Sequence, residues 1–94
     1  MARRAAKVDA THAAIAAALR QVGAKVRSTA MVGDDFPDLC VGFRGRTLLI
    51  ECKTPGKKRT QGQIAFAENW PGEVHTAYSA DEALAAVIGK QHLR

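Results

Sequence analysis

Three side chains in the middle of this chain have the types and spacing that metal-assisted hydrolysis needs. Asp38 opens one apolar segment, and Glu51 and Lys53 close the next with one residue between them. Hydrolysis of a phosphodiester calls for a divalent cation that polarises the phosphate and helps ionise water. Magnesium prefers oxygen ligands and commonly takes one or two carboxylates, with water and substrate oxygens completing its shell. Asp38 and Glu51 supply two carboxylates, and the backbone carbonyl of Cys52 offers a third donor. Lys53 suits an attacking water and the charge that develops on phosphate. The competing explanation is an ion pair among Asp38, Glu51 and Lys53 at a sheet surface, where such pairs contribute little. A Glu-x-Lys triplet alone is a weak signal. Its position at the end of an apolar strand, with Pro37-Asp38 opening the paired strand, is far more specific.

The elements that position these residues are read from hydrophobic period. Asp38–Phe43 and Thr47–Lys53 alternate as two strands of a hairpin, and a two-residue Gly45-Arg46 loop satisfies the preference for glycine at positive φ. In that register Arg44 opposes Thr47, Cys40 opposes Glu51, and Asp38 opposes Lys53. One face then holds Leu39, Val41, Phe43, Leu48, Ile50 and Cys52. The other holds Asp38, Cys40, Gly42, Leu49, Glu51 and Lys53. A slip of one residue destroys both the apolar face and the polar constellation.

Around the hairpin, Val8, His12, Ile15, Leu19 and Val22 recur at the spacing of one helical face, predicting a helix over Ala10–Val22 that Gly23 stops. Lys25–Val32 reads as a strand and residues 33–37 as a loop. After Lys53 comes a basic loop, Thr54–Arg59. Thr60-Gln61-Gly62-Gln63 has capping-box spacing and announces a helix whose Ile64, Phe66, Ala67 and Trp70 face the sheet, with Trp70 a core anchor. Pro71-Gly72 ends it. Glu73–Tyr78 reads as a strand, and Ser79-Ala80-Asp81-Glu82 as a second capping box opening a last helix that Gly89 ends. Residues 1–8 and 90–94 read as flexible. The order αβββαβα fits one domain of the α/β class, an α+β mixed sheet flanked by helices.

Composition bounds the rest. Ninety-four residues make one small domain, and 18 of them are alanine, which fills little volume. Size scaling gives roughly 60–65% of the surface buried, a thin core that favours pairing with a second copy. Net charge is +5. The basic residues cluster: Arg3, Arg4 and Lys7; Arg44 and Arg46; Lys53, Lys57, Lys58 and Arg59. Nucleic acid is the natural partner for such a balance, against a surface that serves solubility alone. Lys57, Lys58 and Arg59 follow the Glu-x-Lys strand directly and suit phosphate contacts, unless they are merely a solvated loop. Cys40 and Cys52 read as reduced packing residues of a cytoplasmic protein, not a disulfide or zinc site. His75 reads as structural, and His12 as packed or at a dimer interface more than lining a site. No long apolar run predicts a membrane span.

Phe36-Pro37-Asp38-Leu39, Leu49-Ile50-Glu51-Cys52-Lys53 and Thr60-Gln61-Gly62-Gln63 together resemble the PD-(D/E)XK nuclease superfamily, and within it the VRR-NUC group. The resemblance covers nearly the whole chain and implies a restriction-endonuclease-like αβββαβ core with an extra C-terminal helix. It implies a DNA endonuclease that depends on Mg²⁺ or Mn²⁺. Further implications are homodimers acting on branched DNA such as Holliday junctions, in the small stand-alone form known from phages and bacteria, with phage replication or recombination proteins as possible partners. Asp38 and Glu51 become metal ligands, Lys53 the catalytic lysine, and Gln63 a residue pointing back to the site, or alternatively a helix cap with Thr60. The superfamily usually carries a glutamate in its first helix, and no glutamate precedes Glu51 here. Asp9 is the nearest acidic substitute, or simply an N-cap. That departure keeps open an inactive nuclease fold that binds DNA or docks on a protein. The loop reading Asp35-Phe36 before Pro37 also departs from the glycine usual there.

Overall fold

Leucine, isoleucine and valine at alternating strand positions and at helical spacing meet in one core, and that core fixes the architecture. The computed structural model describes residues 9–89. It is an α+β fold of seven elements: α1 (Ala10–Gln21), β1 (Lys25–Ser28), β2 (Leu39–Phe43), β3 (Arg46–Cys52), α2 (Gln61–Asn69), β4 (Val74–Ala77) and α3 (Ala80–Ile88). The expected order αβββαβα is the observed one. The strands form one mixed sheet in the order β1-β2-β3-β4. The first three run antiparallel, and β4 is parallel to β3. A parallel neighbour needs a crossover of a dozen or more residues, and the stretch containing α2 supplies it. Residues 1–8 and 90–94, expected to be flexible, lie outside the described residues, as do Arg3, Arg4, Lys7 and Val8.

Ile15 and Leu19 of α1, and Ala83 and Val87 of α3, pack on Val26, Leu39, Val41, Leu48, Ile50 and Ala77, all buried. Phe43, Cys52 and Leu84 lie partly buried against the same cluster. The apolar face expected of the hairpin is therefore the core face, and α1 and α3 cover it. Glu51 and its neighbours project from the other side.

The register of the hairpin differs from expectation by two residues. Leu39 pairs with Ile50, Cys40 with Leu49 and Phe43 with Arg46. The loop is Arg44-Gly45, with φ of 51° and 82°, and not Gly45-Arg46. Positive φ at both central positions is the tight-turn geometry whose twist matches that of the flanking strands. A two-residue shift preserves every face, because side chains alternate with period two. The expected opposition of Asp38 to Lys53 is corrected to Asp38 opposite Glu51, one step beyond the Leu39–Ile50 pair.

Three further expectations are corrected. Strand β1 ends at Ser28 and not at Val32. The Thr29 N–H donates to the Asp38 carbonyl (2.7 Å) as the last bond of the ladder and its hydroxyl to the Pro37 carbonyl (2.7 Å), and the Val32 N–H then donates back to the Thr29 carbonyl (3.0 Å), which folds the chain into a loop. Ser79 caps α3 by accepting from the Glu82 N–H, but the Glu82 carboxylate accepts from Tyr78 and not from Ser79, so the reciprocal box is not closed. Trp70 is no core anchor. It is 40% exposed, stacks on Phe66 at 5.0 Å and meets Phe36 edge-on at 5.9 Å. No residue of α2 is buried, and the helix is tied to the rest of the fold by the Gln63 amide on Glu51 and by the contacts of Phe66 and Trp70 with Phe36. Among the described residues no helix is long and apolar enough to cross a membrane.

Candidate metal and phosphate site

Asp38 precedes β2 and Glu51 is the penultimate residue of β3, so the sheet itself brings two carboxylates together. The Cys52 N–H donates to Asp38 Oδ2 at 2.8 Å. Within a strand a residue's N–H and C=O leave on the same side, so the Cys52 carbonyl is directed toward Asp38 too. The Cys52 thiol packs against the core. Burial first, then the charges of Asp38, Glu51 and Asp9, push that thiol up to about 12, so the sulfur stays protonated and any donor here is the carbonyl.

Glu51 is only 8% exposed. Burial, and then the charge of Asp38, raise its pKa from 4.5 to about 7, with Lys53 opposing and Asp35 adding a smaller push. A side-chain hydrogen bond with Asp38 adds the smallest push in the same direction. Lys53 follows β3, its N–H held by the Ala77 carbonyl at 2.9 Å. It forms no ion pair with either carboxylate: among the described residues the ion pairs are Arg46–Glu73 and His75–Glu73. The surface ion pair weighed as an alternative is therefore not what gathers these groups.

Gln63 both caps α2 and reaches back to Glu51. Its Oε1 accepts from the Thr60 N–H at 2.9 Å, its own N–H donates to Thr60 Oγ1 at 3.1 Å, and the capping box is complete. Its Nε2 donates to Glu51 Oε2 at 2.9 Å. One amide thus starts the helix and holds the buried carboxylate.

Asp35 is the residue that sequence reasoning passed over. It has φ of 64°, and its carboxylate lies on Gly62 in the first turn of α2, where the positive end of the helix favours it. A Cβ on Gly62 would stand 2.2 Å from Asp35 Oδ2. Asp35 is exposed and its carboxylate is the free end of a rotatable side chain, so it swings aside, and Gly62→Ala should shift stability by no more than about 1 kcal/mol, the helix preference of alanine offsetting the displaced contact. Asp35→Gly removes the obstructing carboxylate and suits the positive φ. With the carboxylate gone, the double variant should be more stable than Asp35→Gly alone in urea denaturation, and a large loss in Gly62→Ala would show that Asp35 cannot move aside. The available signal was a glycine at the second helical position of α2, where a side chain is normally tolerated.

Asp9 is the N-cap of α1. Its Oδ1 accepts from the His12 N–H (2.9 Å) and its Oδ2 from the Thr54 hydroxyl (2.9 Å), and these bonds hold its pKa below the usual carboxylate range. It ties α1 to the segment after Lys53, with both oxygens engaged. His12 is 7% exposed within the chain itself, on the core side of α1. His75 lies in β4 beside Glu73 at 2.9 Å.

Among the expected phosphate contacts, Lys57 and Lys58 are exposed and Arg59 half-buried in the loop after Lys53. None is ion-paired to a described residue. Arg44 and Arg46 lie at the other end of the hairpin from Glu51, so the structure does not bring them to the carboxylates. Arg44 sits over the Phe43 ring at 4.9 Å. Arg46 is engaged within the fold: it pairs with Glu73 and donates to the Val87 carbonyl (2.5 Å) and the Ala86 carbonyl (3.3 Å) near the end of α3. The Arg46 bonds, then His75, lower the Glu73 pKa.

Among the described residues no three His, Cys, Asp or Glu side chains converge as a metal cage. The donor set is two carboxylates and a backbone carbonyl. Two neighbouring carboxylates with no ion-pair partner among the described residues fit a hard divalent cation that completes its shell with water and substrate. Comparison with protein-family models, curated proteins and solved structures gives no match for this chain.

Proposed function

We propose that this chain is a metal-dependent DNA endonuclease of the PD-(D/E)XK type, with a restriction-endonuclease-like core. The observation that carries the reading is the juxtaposition of half-buried Asp38 with buried Glu51, neither ion-paired among the described residues, with Lys53 and Gln63 beside them. Asp38, Glu51 and the Cys52 carbonyl would hold Mg²⁺ or Mn²⁺. A bound divalent cation polarises the phosphate and makes a nucleophile available near neutral pH. The chain's own residues do the rest. Gln63 fixes the orientation of Glu51, so the carboxylate needs no rearrangement when a cation and substrate arrive. Lys53 orients the attacking water and offsets negative charge gathering on the phosphate. Water forms the new P–O bond, the ester P–O bond breaks, and the proton passes to the leaving oxygen. Lys57, Lys58 and Arg59 hold the backbone without reading sequence.

The preference for branched DNA and the phage or prophage source rest on the resemblance alone, the homodimer on it and on the thin core, and the cytoplasmic setting on it and on the two reduced cysteines. Two symmetry-related sites in a dimer suit paired incisions across a junction. A second reading, an inactive nuclease fold that binds DNA, draws on the absence of a third converging side-chain ligand among the described residues. Cleavage of labelled four-way-junction, flap, duplex and single-stranded DNA with Mg²⁺, Mn²⁺ or EDTA separates the two. Metal-dependent cutting of at least one structure is expected. Binding without cutting under either metal leaves the inactive module, and neither binding nor cutting ends both readings.

A further inference from the structure

Strand β1 leaves its outward side chains uncovered. Val26 points into the core, while Lys25 and Arg27 flank it and are exposed. The register fixes the face they share. Arg27 pairs with Cys40, which pairs with Leu49, and Lys25 pairs with Gly42. Paired residues project on one side, so Lys25 and Arg27 rise from the same surface of the sheet as Asp38 and Glu51. Strands lie about 4.8 Å apart and two residues span about 6.8 Å, which sets the Arg27 Cα about 8 Å from Asp38 and about 12 Å from Glu51. Only the small side chain of Cys40 and the bare backbone of Gly42 lie on β2 in those rows.

A third cation completes this edge. The Arg20 guanidinium reaches from the last turn of α1 to donate to the Val26 carbonyl at 3.0 Å. Arg20, Lys25 and Arg27, with Gly23, Ala24 and Val26, line an open groove of about 620 Å³. No described carboxylate pairs with any of the three cations, since the ion pairs among the described residues are those of Glu73. Three unneutralised cations beside one groove, two of them on the face of the carboxylates, suit a chain of phosphates.

We propose that Arg20, Lys25 and Arg27 form a second phosphate-binding tract, which grips the DNA backbone on the β1 side of the carboxylates. The backbone then runs from the 57–59 loop past Asp38, beside the buried Glu51, and across the outer face of β2 to the edge of β1. The tract rests on the nuclease reading of the carboxylate pair. It makes Lys25 and Arg27 determinants of how much substrate must extend past the cut on one side.

The test uses the full chain, with DNA affinity measured in EDTA across a salt series and single-turnover cleavage measured in Mg²⁺. Lys25→Gln/Arg27→Gln should weaken binding about tenfold at moderate salt and lower the salt slope by about 2, as loss of two phosphate contacts requires. Cleavage at saturating protein should stay within about twofold of wild type, because uniform binding is what is lost. Arg44→Glu makes the same change in net charge at the far turn of the hairpin and should leave affinity within about twofold. Should the double glutamine variant fail to fold, Lys25→Thr/Arg27→Thr removes the same charges with residues that favour strands. Wild-type affinity and salt slope in the folded double variant, or a loss no greater than that of Arg44→Glu, overturns the tract and leaves the nuclease standing. A wild-type chain that neither binds nor cuts DNA ends both.

Discussion

Glu51→Gln should lower the rate of DNA cleavage by about three orders of magnitude while DNA affinity in EDTA stays within a few-fold of wild type. The substitution keeps the volume of the side chain and leaves an amide oxygen to accept from Gln63 Nε2. What it removes is the negative charge and one of the two carboxylate oxygens. A cation site with two carboxylates loses half its formal charge, and interactions that support developing charge in a water-excluded site are worth about 10²–10³ in rate apiece. Lys53→Ala should cost about 10²–10³ by the same reasoning, but its loss is of a different kind, because metal affinity survives it. Manganese titration followed by the relaxation of water protons distinguishes the two: Glu51→Gln weakens the uptake of Mn²⁺, and Lys53→Ala does not. Lys57→Ala/Lys58→Ala belongs to a third class, with affinity and salt slope reduced and saturated cleavage intact. Retained cutting by either purified Glu51→Gln or Lys53→Ala would overturn the assignment of these residues.

Much of this was legible because strand period and hydrophobic pattern constrain faces more tightly than they constrain register. Leu39, Val41, Leu48 and Ile50 could only be buried together, and that placed Glu51 on the opposite side. The register itself moved by two residues, since turn chemistry allowed glycine at either loop position and an arginine accepted positive φ at position 44. What sequence could not show was long-range partnering. Arg46 reads in sequence as one more basic residue, and only the fold shows its contacts with Glu73 and the end of α3. Asp35 looked like a loop residue until Gly62, far along the chain, proved to be its seat. Trp70 has the composition of an anchor, yet α2 is held through Gln63 and an aromatic cluster at the surface, and no buried stripe was required. Lys25 and Arg27 alternate with Val26 as an edge strand should, but that pattern acquires meaning only once β1 is known to flank the carboxylates.

The second large effect concerns stability and pH. Glu51 has its folded-state pKa raised to about 7 by burial, with Asp38 adding to it, against 4.5 for the free side chain. The folded protein therefore binds a proton more tightly than the unfolded chain. A group of that kind contributes stability that is fully present below pH 4.5 and is lost as pH rises through 7. Two and a half units correspond to about 3 kcal/mol, an order-of-magnitude figure for a group coupled to Asp38. Asp9 and Glu73, whose pKa values are lowered, act in the opposite sense but only in acid. Their contribution is present above the unfolded carboxylate range and fades as pH falls below it, outside the window of Glu51. Urea denaturation in EDTA should thus find the protein more stable at pH 5 than at pH 8. Glu51→Gln should abolish most of that slope and be the more stable protein at pH 8, even as it loses activity. Saturating Mg²⁺ should flatten the wild-type slope from the other side, by giving the ionised pair a counter-charge that the unfolded chain does not assemble. A wild-type slope that persists undiminished in Glu51→Gln would mean that some other group carries it. Together the two behaviours would mark Asp38 and Glu51 as a pair held at a cost to folding, the strained polar arrangement expected where a site is kept for chemistry and not for stability.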